Sequence, residues 1–293
     1  MHVAVIGVGI MGSAIAGRLI DTGVSVFVYD PEPGKCKALV DRGAHSEGSA
    51  RSAAAKSSYV ITSLNSASIV ERAVFGPEGI AAAATADKLL VDMSTIDSAH
   101  TASMAARLEK ETGMGWVDAP LSGGAPAAAT GTLTLMVGGS EANFARAEPL
   151  LSKLSAKYTH LGDCGAGQTV KLINQILCAS TFLAVAEAVR FAEHHGVDAT
   201  RIPMALAGGR ADSRILQEFM AKMARRDFSP TGRIDNMLKD LEMVQTAALA
   251  KRIPMPIISL VADLHRILVA GGLGPADSAE YVRLYDLAAD RAP

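Results

Sequence analysis

Cysteine is scarce in this chain. Cys36, Cys164 and Cys178 are the three in 293 residues, and they share no CxxC or metal-ligand spacing. That excludes a disulfide framework and reads as reduced thiols in a reducing compartment. An excess of one charge is missing too. Lysine and arginine number 28 against 30 acids, a net charge of -2, and no basic block occurs. Nucleic acid is therefore not expected as a partner, nor is an anionic membrane surface. No uninterrupted apolar run of membrane-spanning length is visible. The apolar N-terminus lacks a basic n-region and is cut by Gly7, Gly9 and Gly12, unlike a signal peptide. The seven histidines show neither catalytic nor metal spacing, and no Ser/His/Asp arrangement stands out. His194 and His195, near a helix end, read as surface or dipole-compensating groups. The expectation is a soluble cytoplasmic protein with no metal.

What is present describes a folded globular chain, 49% hydrophobic and 20% charged. Its length exceeds one ordinary core, so two domains are expected. Residues 2–6 are short, apolar and rich in β-branched side chains, as in a strand buried on both faces. Gly7-Val8-Gly9-Ile10-Met11-Gly12 follows, then a helix over 13–22 and a second strand over 23–29 that ends at Asp30. This is a complete βαβ unit. Its glycines allow a tight turn, close approach of a pyrophosphate and close helix–strand packing, while the helix N-terminus binds phosphate. Asp30 stands where an acid accepts hydrogen bonds from the adenosine ribose hydroxyls. A 2′-phosphate would be repelled there, and the first basic residue beyond is Lys35, so NAD is favoured over NADP.

Strands over 59–63, 88–92, 115–118, 131–138 and 157–161 alternate with helices over 36–42, 49–56, 68–75, 98–112 and 142–154. Such alternation gives a parallel sheet with helices on both sides, and ligands bind beyond the carboxyl ends of its strands. Leu64-Asn65 and Ser94-Thr95 fall at those ends. The hydroxyls of Ser94 and Thr95 suit either a ribose or nicotinamide contact or N-capping of the helix that follows. In Asp118-Ala119-Pro120-Leu121-Ser122-Gly123-Gly124, a hydroxyl and unobstructed backbone N–H groups suit an anion-binding nest, with a substrate carboxylate as guest. The alternative is a flexible turn.

Beyond residue 169 no strand is expected. Helices over 169–194, 202–207, 214–223, 236–250, 256–270 and 278–288 are punctuated by glycines. The fold class is an α/β Rossmann-type N-terminal domain followed by an all-α C-terminal domain, joined by a long inter-domain helix. The domains are 1–164, dinucleotide-binding, and 165–293, for substrate and oligomerisation. So much apolar helical surface suggests a homodimer or homotetramer. Arg210 and Ser213 are further polar candidates, and Lys239-Asp240 reads first as a solvated charged face.

The stretch from Gly165 to Gln175 is distinctive. Lys171 falls in the first turns of the long helix, with Asn174 and Gln175 on neighbouring faces. Helix N-termini favour anions, so a cation there is disfavoured, and burial would add to that. Both effects lower a lysine pKa towards the range of a proton-transferring group. The competing reading is a solvated surface lysine.

Four segments together resemble the β-hydroxyacid dehydrogenases, a family that includes 3-hydroxyisobutyrate dehydrogenase and 2-hydroxy-3-oxopropionate (tartronate semialdehyde) reductase. They are the glycine motif at 7–12, Asp118 to Gly124, Gly165 to Gln175, and Lys239-Asp240-Leu241. The match runs from end to end in the same order and spacing. It implies Lys171 as catalytic acid/base, with Ser122, Gly123 and Gly124 holding the substrate carboxylate and Asn174 and Gln175 orienting the substrate. Gly7, Gly9, Ile10, Met11, Gly12, Asp30, Leu64, Asn65, Thr95 and Lys239 would contact the cofactor. The Asn174-Gln175 pair, where many 3-hydroxyisobutyrate enzymes carry two asparagines, looks more like the tartronate semialdehyde branch. So do the 233–235 lead into Lys239 and the stretch 272–277. The expected reaction interconverts a short 3-hydroxy acid and its semialdehyde. A 3-hydroxyisobutyrate or related sugar-acid dehydrogenase is the alternative within the class. A non-catalytic NAD(H)-binding sensor or scaffold is the alternative outside it.

Overall fold

The computed structural model describes residues 1–291, with side chains described to residue 286. The chain divides into two compact units, Met1–Lys171 and Leu172–Pro293.

The first unit runs β1 (His2–Ile6), α1 (Ile10–Asp21), β2 (Ser25–Tyr29), α2 (Lys37–Val40), β3 (His45–Ser46), α3 (Ala50–Ala55) and β4 (Tyr59–Thr62). It continues with α4 (Ala67–Phe75), β5 (Leu89–Asp92), α5 (Ser98–Thr112), β6 (Gly115–Asp118), β7 (Leu121–Ser122), α6 (Gly124–Thr130), β8 (Thr134–Val137), α7 (Glu141–Leu154) and β9 (Lys157–His160). Six strands form one sheet in the order β3-β2-β1-β4-β5-β6, and every pairing in it is parallel. Alternation along β1 explains why both faces are covered. Val3 and Val5 enter a core shared with Ile15 and Leu19 of α1 and Leu150 of α7. Ala4 and Ile6 enter the opposite core, with Ala53, Val70 and Leu108 of α3, α4 and α5. This is the doubly wound arrangement expected.

Three details depart from expectation. β3 and β7 span two residues each, too short to leave a periodic signal. The strand expected over 131–138 contracts to β8, because Gly131 instead ends α6 in a left-handed conformation (φ 72°). β7, β8 and β9 form a second, small sheet, joined to β6 by a bridge between Asp118 and Gly138.

α8 (Ala166–His194, 29 residues) crosses from the first unit into the second. It starts three residues earlier than expected because Asp118, at the end of β6, caps it from a distance. Asp118 Oδ1 accepts from Gly165 N at 2.8 Å and Oδ2 from Gln168 N at 2.9 Å. A carboxylate at this end satisfies orphan amides and complements the helix dipole. At the far end His194 and His195 each place Nδ1 2.8 Å from a carbonyl oxygen of the last turns, Arg190 O and Phe191 O.

In the second unit α9 (Ile202–Leu206), α10 (Arg214–Arg225), α11 (Ile234–Lys251) and α12 (Pro256–Leu268) follow, and among the described residues there is no strand. The segment expected as an α-helix over 278–288 is a 3₁₀ helix, Ser278–Arg291. It places Tyr281 in the core, where its hydroxyl lies 2.8 Å from His265 Nε2. His265 Nδ1 is 2.7 Å from Val261 O, so the ring donates there and accepts from tyrosine. Ser213 is the N-cap of α10, accepting from Leu216 N at 3.0 Å, and Arg210 is exposed.

Two stretches, Ala166–His194 and Pro256–Leu273, are long and apolar enough to cross a membrane by length and composition, although polar residues interrupt both. α8 turns Ala179, Leu183, Ala186 and Val189 into the helical core, as the central helix of a globular unit does.

Asp118→Asn keeps one acceptor of the cap and loses the other. It should lower the unfolding free energy by about 1–3 kcal/mol, read as a shifted urea midpoint. An unchanged midpoint would show that the cap carries no weight.

Candidate active site

The loop between β1 and α1 is built for close approach. Gly7 has φ 87°, and a Cβ on it would stand 2.6 Å from Ser63 O. A Cβ on Gly12 would collide with the Gly7 carbonyl. These two glycines serve the turn and the packing. Gly9 differs: no atom lies within 4 Å of where its Cβ would be. It occupies the N-cap position of α1, which has no side-chain cap, so the first-turn amides keep donors for an anion. Ile10 is 79% exposed and Met11 half-buried over this open face. The loop therefore fits a dinucleotide pyrophosphate.

Asp30 is buried just past β2. Its Oδ2 accepts from Val8 N at 3.1 Å and its Oδ1 from Glu32 N at 3.0 Å, so the acid also holds the glycine loop. Lys35 Nζ lies 3.8 Å from Asp30 Oδ1 and 2.7 Å from Glu32 Oε1. The Glu32 bond and the nearby Asp30 charge raise its pKa.

Leu64-Asn65 follow β4 and Ser94-Thr95 follow β5, both at carboxyl ends of the same sheet. Ser94 is buried. Its Oγ accepts from Leu64 N at 3.0 Å, and its N donates to Asp92 Oδ1 at 3.0 Å. It thus ties two loops together, and α5 is capped instead by Asp97, which accepts from Ala99 N and His100 N at 2.9 Å each. Thr95 is half-buried beside it.

Gln168 is a residue that sequence reasoning passed over. Fully buried in the first turn of α8, it donates from Nε2 to Ser94 O at 2.9 Å and accepts at Oε1 from Ile96 N at 3.2 Å. The 94–96 loop is thereby clamped to the turn that carries Lys171. Lys171 itself is 8% exposed, so a freely solvated surface lysine is excluded. The cap that Asp118 places on this turn leaves no trace in local sequence, since Asp118 lies 47 residues before the amide it caps.

Ser122 ends β7, paired with Thr134. Gly123 (φ 120°) and Gly124 (φ 68°) lead into α6. A Cβ at Gly123 would stand 2.6 Å from that of Ala127. Both glycines hold backbone geometry that other residues rarely adopt.

In the second unit Asn174 and Gln175 continue α8. Gln175 Nε2 donates to Asp240 Oδ2 at 2.6 Å, and Asn174 Nδ2 donates to Gln175 Oε1 at 2.9 Å. Lys239, near the start of α11, has Nζ 3.3 Å from Asp240 Oδ1, with its side chain 39% exposed and that of Asp240 8% exposed. Asp240 was expected only as part of a charged surface; its burial corrects that. Asp277, in the stretch 272–277, has a structural part: it accepts from Thr231 N, Gly232 N and Ala279 N and so pins the segment before α11.

Comparison with known proteins bears on this arrangement. Residues 2–162 match the family model for the NAD-binding domain of 6-phosphogluconate dehydrogenase, and residues 165–285 match that for the NAD-binding region of NADP-dependent 3-hydroxyisobutyrate dehydrogenase. The chain belongs to the β-hydroxyacid dehydrogenase family. It is 36% identical to 2-hydroxy-3-oxopropionate reductase of Escherichia coli K12 over 99% of both chains. It is 32% identical to 2-(hydroxymethyl)glutarate dehydrogenase of Eubacterium barkeri, over 98% of this chain and 95% of that one. Among solved structures, a Mycobacterium tuberculosis 3-hydroxyisobutyrate dehydrogenase with L-serine superposes with a TM-score of 0.87 at 30% identity, covering 99% of each chain. As a member of this dehydrogenase family the protein is an NAD(P)-binding oxidoreductase, which removes the scaffold reading.

Asp92 generates a pH prediction. Fully buried, it is pushed up from 3.8 to about 6, mainly by desolvation, against bonds from Ser94 and Thr62; Asp118 nearby adds to the rise. Its Oδ2 has no hydrogen-bond partner. Burial also raises Asp118 against its backbone bonds. An acid with a raised folded pKa binds a proton more tightly folded than unfolded, so stability falls as pH rises from the unfolded to the folded value. Between pH 4 and pH 7, Asp92→Asn should gain on the wild type by up to about 3 kcal/mol. Parallel urea titrations test this, and a constant difference across the range would refute it.

Proposed function

We propose that the protein is a reductase of short 3-oxo acids that resembles 2-hydroxy-3-oxopropionate reductase, using NADH and Lys171 as general acid. The observation that carries this is the burial of Lys171 in the first turns of α8, on a turn fixed by Asp118 and Gln168 against the 94–96 loop. The 36% identity to the Escherichia coli reductase supports this branch over 3-hydroxyisobutyrate. In this reading residues 1–164 bind the dinucleotide, and residues 165–293 bind substrate and a second copy of the chain.

Bound nicotinamide supplies the hydride. The residues of the chain do the rest. The glycine loop at 7–12 receives the pyrophosphate on uncapped amides, with Ile10 and Met11 over it. Asp30 receives ribose hydroxyls and disfavours a 2′-phosphate, so NAD is preferred. Lys35, close to Asp30, tempers that preference. Leu64, Asn65, Thr95 and Lys239 line the remainder of the cofactor. Ser122, Gly123 and Gly124 hold the substrate carboxylate. Lys171 gives its proton to the carbonyl oxygen as the alkoxide forms, and Asn174 and Gln175 orient the substrate. In the reverse direction Lys171 takes the hydroxyl proton.

The assembly follows from α12, which is apolar on both sides. Ile258, Val261 and Ala262 enter the core, while Ile257, Leu260 and Ile267 are 69%, 62% and 58% exposed at helical spacing. Such a stripe is covered by a second copy of the helical unit in a homodimer or homotetramer. None of the three cysteines forms a disulfide, in keeping with a cytoplasmic enzyme.

Lys171→Ala should lower turnover of 2-hydroxy-3-oxopropionate by at least about 10²-fold while NADH still binds by fluorescence titration. Full turnover in that variant would sink the acid–base assignment. Wild-type kcat/KM should favour NADH over NADPH, and Asp30→Ser should narrow the gap. Leu260→Glu should yield a smaller species by light scattering; an unchanged mass places the interface elsewhere.

A further inference from the structure

Gln168 joins two segments through one fully buried amide. Its Nε2 donates to Ser94 O at 2.9 Å, and its Oε1 accepts from Ile96 N at 3.2 Å. A backbone carbonyl only accepts and a backbone N–H only donates, so both partners dictate the same orientation of the amide. Turned over, it would make two mismatched contacts in a buried place, where unmet polar groups are costly. The two partners are the carbonyl before Thr95 and the N–H after it. A neighbouring parallel strand makes the same pair of bonds around the residue between them. Here a side chain of α8 makes both, and so grips the backbone on either side of Thr95. The main chain of Gln168 is held in turn, since its N donates to Asp118 Oδ2 at 2.9 Å. Lys171 follows three residues later on the same helix and is buried as well.

Reduction of a carbonyl needs hydride at the carbon and a proton at the oxygen of one double bond. On the reading proposed above, the two come from different segments: from cofactor lying against the 94–96 loop, and from Lys171 on α8. A misplacement of about 1 Å between reacting groups costs up to about 10²-fold. We infer that Gln168 is a positioning residue for this reaction: it sets the 94–96 loop in register with Lys171, so that hydride and proton meet the same carbonyl group. The inference rests on that reading of Lys171 and Thr95. It assigns a part to a residue that binds neither cofactor nor substrate in it.

Gln168→Met keeps the length of the side chain and loses both bonds, while Gln168→Glu keeps an acceptor for Ile96 N and sets oxygen against Ser94 O. The test measures single-turnover oxidation of bound NADH by 2-hydroxy-3-oxopropionate in a stopped-flow instrument. Rates are taken per NADH-binding site, so that unfolded protein does not count. Both variants should lose about 10- to 100-fold in rate, with NADH affinity within about threefold of the wild type. In a Lys171→Ala background, Gln168→Met should cost no more than about threefold further, because a residue that acts through the lysine has little left to position. An unchanged rate in Gln168→Met overturns the inference. So does an equal loss in both backgrounds, which marks a general packing role, and so does a loss of NADH binding, which places the effect in the cofactor site itself. A full rate in Lys171→Ala alone, or a wild type inactive with this acid, overturns the proposed reaction and the inference with it.

Discussion

A single carboxylate organises the first unit around its chemistry. Asp118 ends a sheet strand and reaches the first amides of α8, so the edge of the sheet and the start of the long helix share a charge-assisted contact. Without it, Gly165 and Gln168 would present unmet amides in a buried place. With it, the side chain of Gln168 is free to hold the 94–96 loop, and Ser94 in turn holds the 64–65 loop. Two loops and the start of α8 are thus located by one short sequence of bonds. The arrangement is pre-organised in the sense that matters for catalysis: its donors and acceptors are placed before any ligand arrives.

The network carries an electrostatic strain. Asp92 and Asp118 are both removed from water and both raised in pKa. Their oxygens accept from backbone and hydroxyl groups, the sort of arrangement that functional sites keep at some expense of stability. Lys171 lies in the same region, on the first turns of α8.

Much of this was legible in the chain. The glycine motif, Asp30 and the strand–helix alternation led to a doubly wound sheet, because burial on both faces and period-two packing leave their mark in local composition. Lys171, Ser122 to Gly124 and Lys239 stood out by motif. Gln168, Asp118 and Asp240 fall within those motifs, yet their parts leave no local signal. Each acts through a partner tens of residues away, and a hydrogen bond between distant segments has no period. Asp240 in particular has the composition of a surface charge and the burial of a core residue. The hydroxyls of Ser94 and Ser213 turned out to serve loops and caps, uses that any serine beside a helix is able to fill. The 3₁₀ character of Ser278–Arg291 was also beyond reach, since its apolar spacing fits either helix type.

The path of α8 has a consequence for recombination between relatives. Composition changes near Gly165, and a chimera joined there would look conservative. Yet the amides that Asp118 caps belong to Gly165 and Gln168, and the clamp on the 94–96 loop is Gln168 itself. A crossover at that point takes the sheet strand from one parent and the helix start from another, dividing a single hydrogen-bonded unit. A junction after Lys171, although inside a continuous helix, leaves it whole. In this fold the inheritable module ends within a helix, several residues past the place where the chain changes character.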